Sequence, residues 1–264
     1  MIASFFRHLE HFQVDWLLIS GQATILYGAA TFSEDVDLWV QPTESNLERF
    51  RLALRASQAR YYKLTPALTV AHAAEGHGFH FVVPDPEGGA EVFVDVMGFP
   101  PRVGSFELAR AGARDIETRW GTLHTVGIKE LVELKKTQRP RDYPIISRLA
   151  LAWLDEQTAD CSTEELQWVL DNVFSLAELT RLFIEHPELL ARLPTDTHEL
   201  VVRAAGQLAL QGRIEQPLED DLEDWMDGRV APLRRADRHF WRAVIEALRQ
   251  LRASRALMAE GTLV

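Results

Sequence analysis

The sequence contains very little cysteine, since Cys161 is the single one among 264 residues. One cysteine cannot form an internal disulfide, and such scarcity fits a protein of the reducing cytosol. Long apolar runs are missing as well, because no stretch approaches the ~20 consecutive apolar residues that span a bilayer. The first residues also lack the apolar core and cleavage site of a secretory signal. We therefore expect a cytoplasmic protein with no membrane segment.

Positive charge is scarce relative to negative charge. The 28 Lys and Arg residues face 39 Asp and Glu residues, which gives a formal net charge of −11. The imbalance is uneven: residues 1–140 hold 14 basic and 17 acidic side chains, and residues 141–264 hold 14 and 22. An acidic protein lacks the general attraction for phosphate backbones that supports non-specific nucleic-acid binding. This charge balance argues modestly against a large RNA as partner, but it does not exclude a local basic patch.

The most informative stretch of the sequence runs from residue 14 to residue 41. An apolar run over 14–19 predicts a buried strand that ends at Ser20-Gly21, and a short helix follows it. The next predicted strand, 35–41, carries Asp35 and Asp37 on one face, because side chains repeat every two residues. Adjacent carboxylates repel each other unless a cation lies between them, and Mg²⁺ prefers oxygen ligands. The pattern predicts either a metal-binding pair or a solvated strand face.

A third carboxylate lies in a second strand pair. Residues 79–83 and 92–96 alternate in the manner of an antiparallel hairpin, and the turn signal 84–89 separates them. Asp95 interrupts the apolar second strand, where an unpaired buried carboxylate is costly. We therefore take Asp95 as the candidate third acid. Glu91, closer to the turn, is the alternative, and an Asp95 that simply faces water is the non-functional explanation.

A basic segment closes the helix predicted over 128–138, which Pro140 interrupts. Three basic residues lie at its end: Lys135, Lys136 and Arg139. Lys is a compact charge and Arg a bidentate clamp, so both suit phosphate groups. The alternative is a basic helix end that interacts favourably with the helix dipole.

Histidines near glycines offer a weaker indication. His72, His77 and His80 lie close together in the sequence, which would fit zinc ligands. No cysteine accompanies them, although cysteine is common among zinc ligands. A zinc site is therefore a minor alternative.

The chain beyond residue 162 predicts helices throughout. Ser162 with Glu165, and Ser175 with Glu178, fit the capping-box pattern at helix starts. The expected helices cover residues 162–172, 176–186, 187–192, 196–211 and 230–258. Strands and helices alternate only before residue 140, so the sequence predicts an α/β domain over 1–140 and a helical C-terminal domain over 141–264.

Taken together, the motifs resemble the DNA polymerase β-like nucleotidyltransferase superfamily. Its pattern is a strand, a pair of small residues, a helix and then Asp-x-Asp on the next strand. In this sequence Ser20-Gly21 stands at the small pair, with Ser replacing the more common first Gly, and Asp35 and Asp37 form Asp-x-Asp. The basic block resembles that of bacterial stand-alone and AbiEii-like members.

The resemblance implies an α/β (α+β) nucleotidyltransferase fold with a mixed sheet, followed by an all-α C-terminal domain. It implies transfer of a nucleoside monophosphate from NTP to an acceptor hydroxyl, with release of pyrophosphate. Two Mg²⁺ ions would be held by Asp35, Asp37 and Asp95. Ser20 and Gly21 would let the backbone approach the phosphates, which three basic residues would contact: Lys135, Lys136 and Arg139. Because the spacing from Lys135 to Arg139 is one residue shorter than the common form, Lys136 is an alternative to Lys135.

The resemblance leaves the acceptor and the oligomeric state open. Family acceptors include RNA ends, proteins and small molecules, and some members are toxins of toxin–antitoxin pairs. An AbiEii-like toxin or a stand-alone enzyme is the first expectation. The rival hypothesis is a non-catalytic nucleotide-binding protein or partner subunit that retains the fold.

Overall fold

Apolar strands build one mixed sheet in the computed structural model, which describes residues 2–84, 89–157 and 161–264. Within these ranges the sheet has seven strands, in the order β3-β4-β5-β2-β1-β7-β6. The strands are β1 (Trp16–Ile19), β2 (Val36–Val40), β3 (Arg60–Tyr61), β4 (Gly78–Val83), β5 (Val92–Met97), β6 (Arg114–Thr118) and β7 (Gly121–Thr125). The pairs β2–β5 and β1–β7 are parallel, and the other neighbours are antiparallel.

Helices connect the strands, and they also form the described elements that follow β7. Those of the first part are α1 (Ile2–His11), α2 (Ser20–Leu26), α3 (Glu44–Ala56), α4 (Val70–Ala74), α5 (Phe106–Ala111) and α6 (Ile128–Lys135). The later ones are α7 (Tyr143–Asp155), α8 (Thr163–Asp171), α9 (Leu176–Glu185), α10 (Glu199–Gln211) and α11 (Leu218–Ala253), with 3-10 turns at Pro140–Asp142 and Pro187–Arg192. The predicted class, a mixed α/β sheet followed by a mostly helical C-terminal region, is confirmed. Among the described residues, no helix combines the length and the apolar character needed to cross a bilayer.

The described chain divides into two compact units. The first comprises residues 1–26, 30–134 and 239–264, and the second comprises residues 27–29 and 135–238. The first unit contains the whole sheet, and it receives the last part of α11. The domain boundary expected near residue 140 stays a prediction.

One face of the sheet belongs to the main apolar core of the first unit. The ring of Phe50 on α3 lies 6.1 Å from Phe81, and Phe6 on α1 stacks 5.4 Å from Trp16. Residues that alternate with these positions along the strands point to the opposite face. On β2 the buried face holds Val36, whereas Asp37 points to the other side. Two helices thus cover one face and leave the acidic side chain on the other.

The hairpin predicted from residues 79–83 and 92–96 is confirmed, and the sheet contains a second hairpin. Strands β4 and β5 pair from Gly78–Met97 to Val83–Val92, and β6 and β7 pair around the turn at residues 119–120. Most of the turn predicted at 84–89 lies outside the described residues. The final predicted helix was wrong at its start, because α11 begins at Leu218 rather than at residue 230 and carries Pro232 inside.

The segment after α11 returns to the edge of the sheet. Leu263 forms an isolated bridge with Arg60, and Leu257 forms one with Pro66. Backbone bonds join Tyr61 N to the carbonyl of Thr262 (2.9 Å). The chain end therefore lies along β3, beyond which the described residues contain no further strand of the sheet.

In the second unit, capped helices pack on α7. The Ser162 side chain accepts from the N–H of Glu165, whose carboxylate accepts from Ser162, so the predicted capping box is present. Arg229 on α11 donates to the carbonyls of Leu170 and Val173 at the end of α8. This arginine gives carbonyls at the end of the helix a charged side-chain donor.

Candidate functional site

Two of the predicted acids are direct neighbours across parallel strands. In the β2–β5 ladder Asp37 pairs with Asp95. Register partners on adjacent strands place their side chains on the same face, with the strands about 4.8 Å apart. Both side chains are half-buried on the face opposite to the one that α1 and α3 cover. The strand pairing thus brings together two carboxylates that are 58 residues apart in sequence.

The third predicted acid, Asp35, immediately precedes β2. Burial, and then the negative charge of Asp95, raise the pKa of Asp35 above its ordinary value, whereas Lys63 and His80 act in the opposite direction. A carboxyl whose charge is disfavoured by a second carboxylate lies in a region of negative potential. Asp35, Asp37 and Asp95 therefore lie in one acidic region, which we call the acidic site.

A cross-sheet row extends the acidic site on both sides. At the level of Asp37 and Asp95, Ile19 on β1 pairs with Asp37, and His80 on β4 pairs with Asp95. The row thus runs Ile19, Asp37, Asp95, His80 across four neighbouring strands. Nδ1 of His80 lies 2.8 Å from Oδ1 of Asp95. Because an ionised carboxylate only accepts hydrogen bonds, the imidazole N–H is the donor.

The small-residue pair lies at the β1 end of this row. Ser20 has φ +58°, in the left-handed region that few non-glycine residues adopt. Gly21 contacts Ser33 so closely that an added Cβ would lie 2.1 Å from Ser33 Oγ. Ser33 in turn donates to the carbonyl of Asp35 (3.3 Å). The absence of a side chain at Gly21 thus permits the loop that delivers Asp35 to pack against α2.

The carboxylates of the acidic site are chemically suited to bind a divalent cation. Carboxylate oxygens are the ligands that Mg²⁺ prefers, and the raised pKa of Asp35 is relieved by any positive charge placed nearby. Within residues 2–84, 89–157 and 161–264, no three His, Cys, Asp or Glu side chains stand at the spacing of a preformed metal site. The same finding gives the zinc hypothesis for His72, His77 and His80 no support. His72 instead contacts the carbonyl of Ala67 (2.8 Å).

The predicted basic residues belong to the second unit. Lys135 is buried at the end of α6, Lys136 is half-buried, and Arg139 is exposed. Nε of Arg139 donates to the carboxylate of Asp142 (3.0 Å). A role for these three side chains in phosphate binding stays a prediction from sequence, as does the helix-end alternative.

Sequence reasoning missed His80 and Lys63 as parts of the site. For His80 the signal was present, because a hairpin that pairs 79 with 96 and 83 with 92 also pairs 80 with 95. Lys63 lies in a stretch, 60–77, that has no clear periodicity, and its φ of +56° is a loop conformation. Its proximity to Asp35 follows only from the folded loop.

Comparison with known proteins gives little further information. No family model matches the chain, and no curated protein matches it either. Two solved structures from Helicobacter pylori show a distant likeness, JHP933 and an inferred nucleotidyltransferase. JHP933 is 12% identical with a TM-score of 0.39, and the match covers 94% of each chain. The second is 12% identical with a TM-score of 0.40, covering 90% of this chain and 93% of the other. These low scores give the likeness no weight in assigning a function.

Proposed function

We propose that the protein transfers a nucleoside monophosphate from an NTP to an acceptor hydroxyl and releases pyrophosphate. The observation that supports this most is the pairing of Asp37 with Asp95 on neighbouring parallel strands, with Asp35 beside them. Two like charges placed directly opposite each other destabilise a sheet. An acidic site of this kind is therefore better explained by binding of a cation than by packing.

Mg²⁺ is the cofactor that we propose, with two ions held by Asp35, Asp37 and Asp95. When bound, Mg²⁺ supplies positive charge for the transferring phosphoryl group and for the attacking and leaving oxygens. Asp95 lies on the side of the row away from Ser20 and Gly21, so it is our candidate for accepting the proton of the acceptor hydroxyl. His80 keeps the Asp95 carboxylate in place by its hydrogen bond.

The backbone at Ser20 and Gly21 is our candidate for approaching the phosphates of the NTP. Both residues begin α2 and directly follow Ile19, which pairs with Asp37 in the row. Lys135, Lys136 and Arg139 remain candidates for the β- and γ-phosphates on the evidence of sequence alone. As for biological role, an AbiEii-like toxin or a stand-alone cytoplasmic enzyme is our first hypothesis.

Pyrophosphate release from each NTP, with and without Mg²⁺, tests the proposal. The matched variants are Asp37→Asn and Asp95→Asn. The control is Asp115→Asn, on strand β6 at the far edge of the same sheet. We expect release by the wild type and by the control, and loss in both acidic-site variants. Equal turnover in all four proteins would refute the proposed site.

The rival function, a nucleotide-binding protein without catalysis, predicts a different result. Calorimetric titration would then show NTP binding, while no acceptor in a cell extract would become labelled by α-labelled NTP. Label that enters RNA, protein or a small molecule identifies the acceptor class directly. Growth arrest on expression of wild type, but not of Asp37→Asn, would support the toxin hypothesis.

A further inference from the structure

Tyr62 continues the cross-sheet row beyond His80 and forms an aromatic pair with Phe93 of β5. Tyr62 directly follows β3, and its N–H donates to the carbonyl of His80 (2.9 Å). The ring of Tyr62 lies 4.9 Å from that of Phe93, at an interplanar angle of 43°. Phe93 and Asp95 are two residues apart on β5, so both lie on the same face of the sheet. The pair is therefore a neighbour of the acidic site.

Both rings of this pair are half-buried, and each keeps part of its surface accessible. Lys63 lies over the Tyr62 ring, with Nζ 4.9 Å from the centroid. Its side chain is exposed, and its charge acts on Asp35. The surface beside the acids thus combines two aromatic rings with one cation.

A network of hydrogen bonds holds this surface in place. The Thr65 hydroxyl donates to the carbonyl of Tyr62 (2.7 Å) and accepts from the N–H of His80 (3.1 Å). The carbonyl of Thr65 accepts from the N–H of Met258 (2.8 Å), in the segment that follows α11. Thr65 is itself completely buried. Tyr62 and Lys63 are therefore presented by a loop that is tied to the sheet and to the chain end.

We infer that Tyr62, Phe93 and Lys63 form an acceptor subsite for a nucleotide. The base would lie against the two rings, its phosphate would face Lys63, and its hydroxyl would point to Asp95. This inference rests on the proposed nucleotidyl transfer. Bases stack on aromatic side chains with little regard to sequence, and a phosphate needs a cation when it approaches an acidic site. A small polyol such as glycerol, which has neither a planar nor an apolar face, would gain little from the rings.

The position along the row assigns this surface to the acceptor rather than to the NTP. Ser20 and Gly21, the candidates for the triphosphate, lie on the β1 side of Asp37. Tyr62 lies beyond β4, on the other side of Asp95, and its ring contacts Phe93 on the strand of Asp95. The acceptor oxygen forms a bond to the α-phosphorus, the bond from that phosphorus to the bridging oxygen breaks, and pyrophosphate leaves. The hydroxyl proton passes to the Asp95 carboxylate. All atoms are accounted for by NTP and the acceptor.

Steady-state pyrophosphate release with the dinucleotides ApA and CpC as acceptors tests the inference, with glycerol as an acceptor lacking a base. The variants are Tyr62→Leu, Phe93→Leu and Lys63→Gln. Tyr62→Phe is the conservative variant. The controls are Phe99→Leu, which shortens an exposed ring elsewhere, and Lys129→Gln, which removes an exposed charge on α6. Slow hydrolysis of NTP, with water as acceptor, reports the chemistry without any acceptor subsite.

We expect the dinucleotides, but not glycerol, to raise pyrophosphate release above this hydrolysis. Loss of one stacking ring should raise the KM of the dinucleotide by about 5- to 100-fold, while the KM of NTP and the hydrolysis rate stay within about twofold of the wild type. Tyr62→Phe and both controls should resemble the wild type. Lys63→Gln should make dinucleotide binding less sensitive to salt.

Three results would overturn the inference. If the wild type hydrolyses NTP but no dinucleotide raises pyrophosphate release, the acceptor subsite is refuted, whereas the proposed function is not. If Tyr62→Leu raises the KM of NTP and not that of the dinucleotide, the rings bind the donor nucleotide instead of the acceptor. A wild type that neither binds NTP nor releases pyrophosphate removes the proposed function, and the inference with it.

Discussion

His80 and Asp95 form a hydrogen-bonded pair across β4 and β5, with Nδ1 2.8 Å from Oδ1. The imidazole occupies one carboxylate oxygen, so the orientation of the whole Asp95 carboxyl group follows from the sheet register. About a quarter of each side chain remains accessible, 28% for His80 and 24% for Asp95. The pair thus lies at a part of this face that solvent reaches, where Asp95 can meet a ligand.

His80→Ala should lower kcat by about 10- to 100-fold, as is usual when a partner that orients a metal ligand is lost. The KM of NTP should change much less, because His80 is a positioning residue. His80→Gln, which keeps a donor, should recover much of kcat. Steady-state kinetics of the three proteins checks this, and equal kcat in all of them would show that the pair has no role in the reaction.

Asp35→Asn should change how stability depends on pH. The pKa of Asp35 in the folded protein lies above 3.8, mainly through burial and then through Asp95. Between the unfolded and folded pKa values the folded state holds more protons, so the free energy of unfolding falls as the pH rises. The variant should match the wild type only below about pH 3, where the Asp35 carboxyl is protonated in both states, and should be more stable at about pH 7.

Thermal melting across this pH range measures the difference. Asp221→Asn, at an exposed acid of α11, is the control and should show no such trend. A variant that is less stable than the wild type at neutral pH would mean that the charge of Asp35 is already well compensated.

Asp37→Asn separates the effect of the acidic site on stability from its role in ligand binding and catalysis. Without metal, melting should be unchanged or raised, because one of two opposed charges is removed. Mg²⁺ with NTP should stabilise the wild type, by about 2.7 kcal/mol at a ligand concentration of 100 Kd, and the variant much less. Pyrophosphate release should fall by on the order of 100-fold or more. A variant with the ligand response and turnover of the wild type would make Asp37 an ordinary surface residue.

Gly21→Ala should destabilise the first unit, because the new Cβ would meet Ser33 Oγ at 2.1 Å and Ser33 Cβ at 2.8 Å. Overpacking of this kind costs about 1–3 kcal/mol. The double variant Gly21→Ala with Ser33→Gly removes both contacts and should recover most of the loss. A double-mutant cycle in urea measures the coupling. Additive effects would show that the two residues are independent.

Arg139→Ala and Lys135→Ala test the role predicted for the basic segment. If their charges contact the triphosphate, each change should weaken NTP binding by about 1.5–3 kcal/mol. Binding should be measured beside thermal melting, since Lys135 is buried and Arg139 pairs with Asp142. Lys136→Ala belongs in the same series as the alternative to Lys135. Unchanged affinity in all three would favour the helix-end explanation.

Local patterns predicted the β4–β5 hairpin well, because the register of a hairpin depends on residues close in sequence. The β4–β5 pairing even contains the contact of His80 with Asp95. The pairing of Asp37 with Asp95 was not predictable in this way, since β2 and β5 are parallel, and α3, β3, α4 and β4 lie between them in sequence. The likeness to a family suggested that the acids belong together, but only the folded sheet gives their register.

The start of α11 was not predicted from the sequence, for a different reason. The acidic run before residue 225 has no strong apolar period, and Pro232 usually ends a helix. Leu222 and Met226 are nevertheless buried, which indicates that tertiary packing holds this first part of α11 in helical form. Helix propensity is a weak predictor of a helix boundary where tertiary contacts determine that boundary.

The pairing of the chain end with β3 has a consequence for synthesis on the ribosome. Arg60 finds its partner Leu263 about 200 residues later, so the edge of the sheet stays uncovered while nearly all of the second unit is being made. An uncovered edge offers unpaired N–H and C=O groups to any neighbouring strand. The loop of Tyr62 and Lys63 reaches its final hydrogen bonds only after those last residues emerge. In a nascent chain the backbone bonds from Tyr61 to Thr262 and from Met258 to Thr65 can therefore form only after α11 has been made.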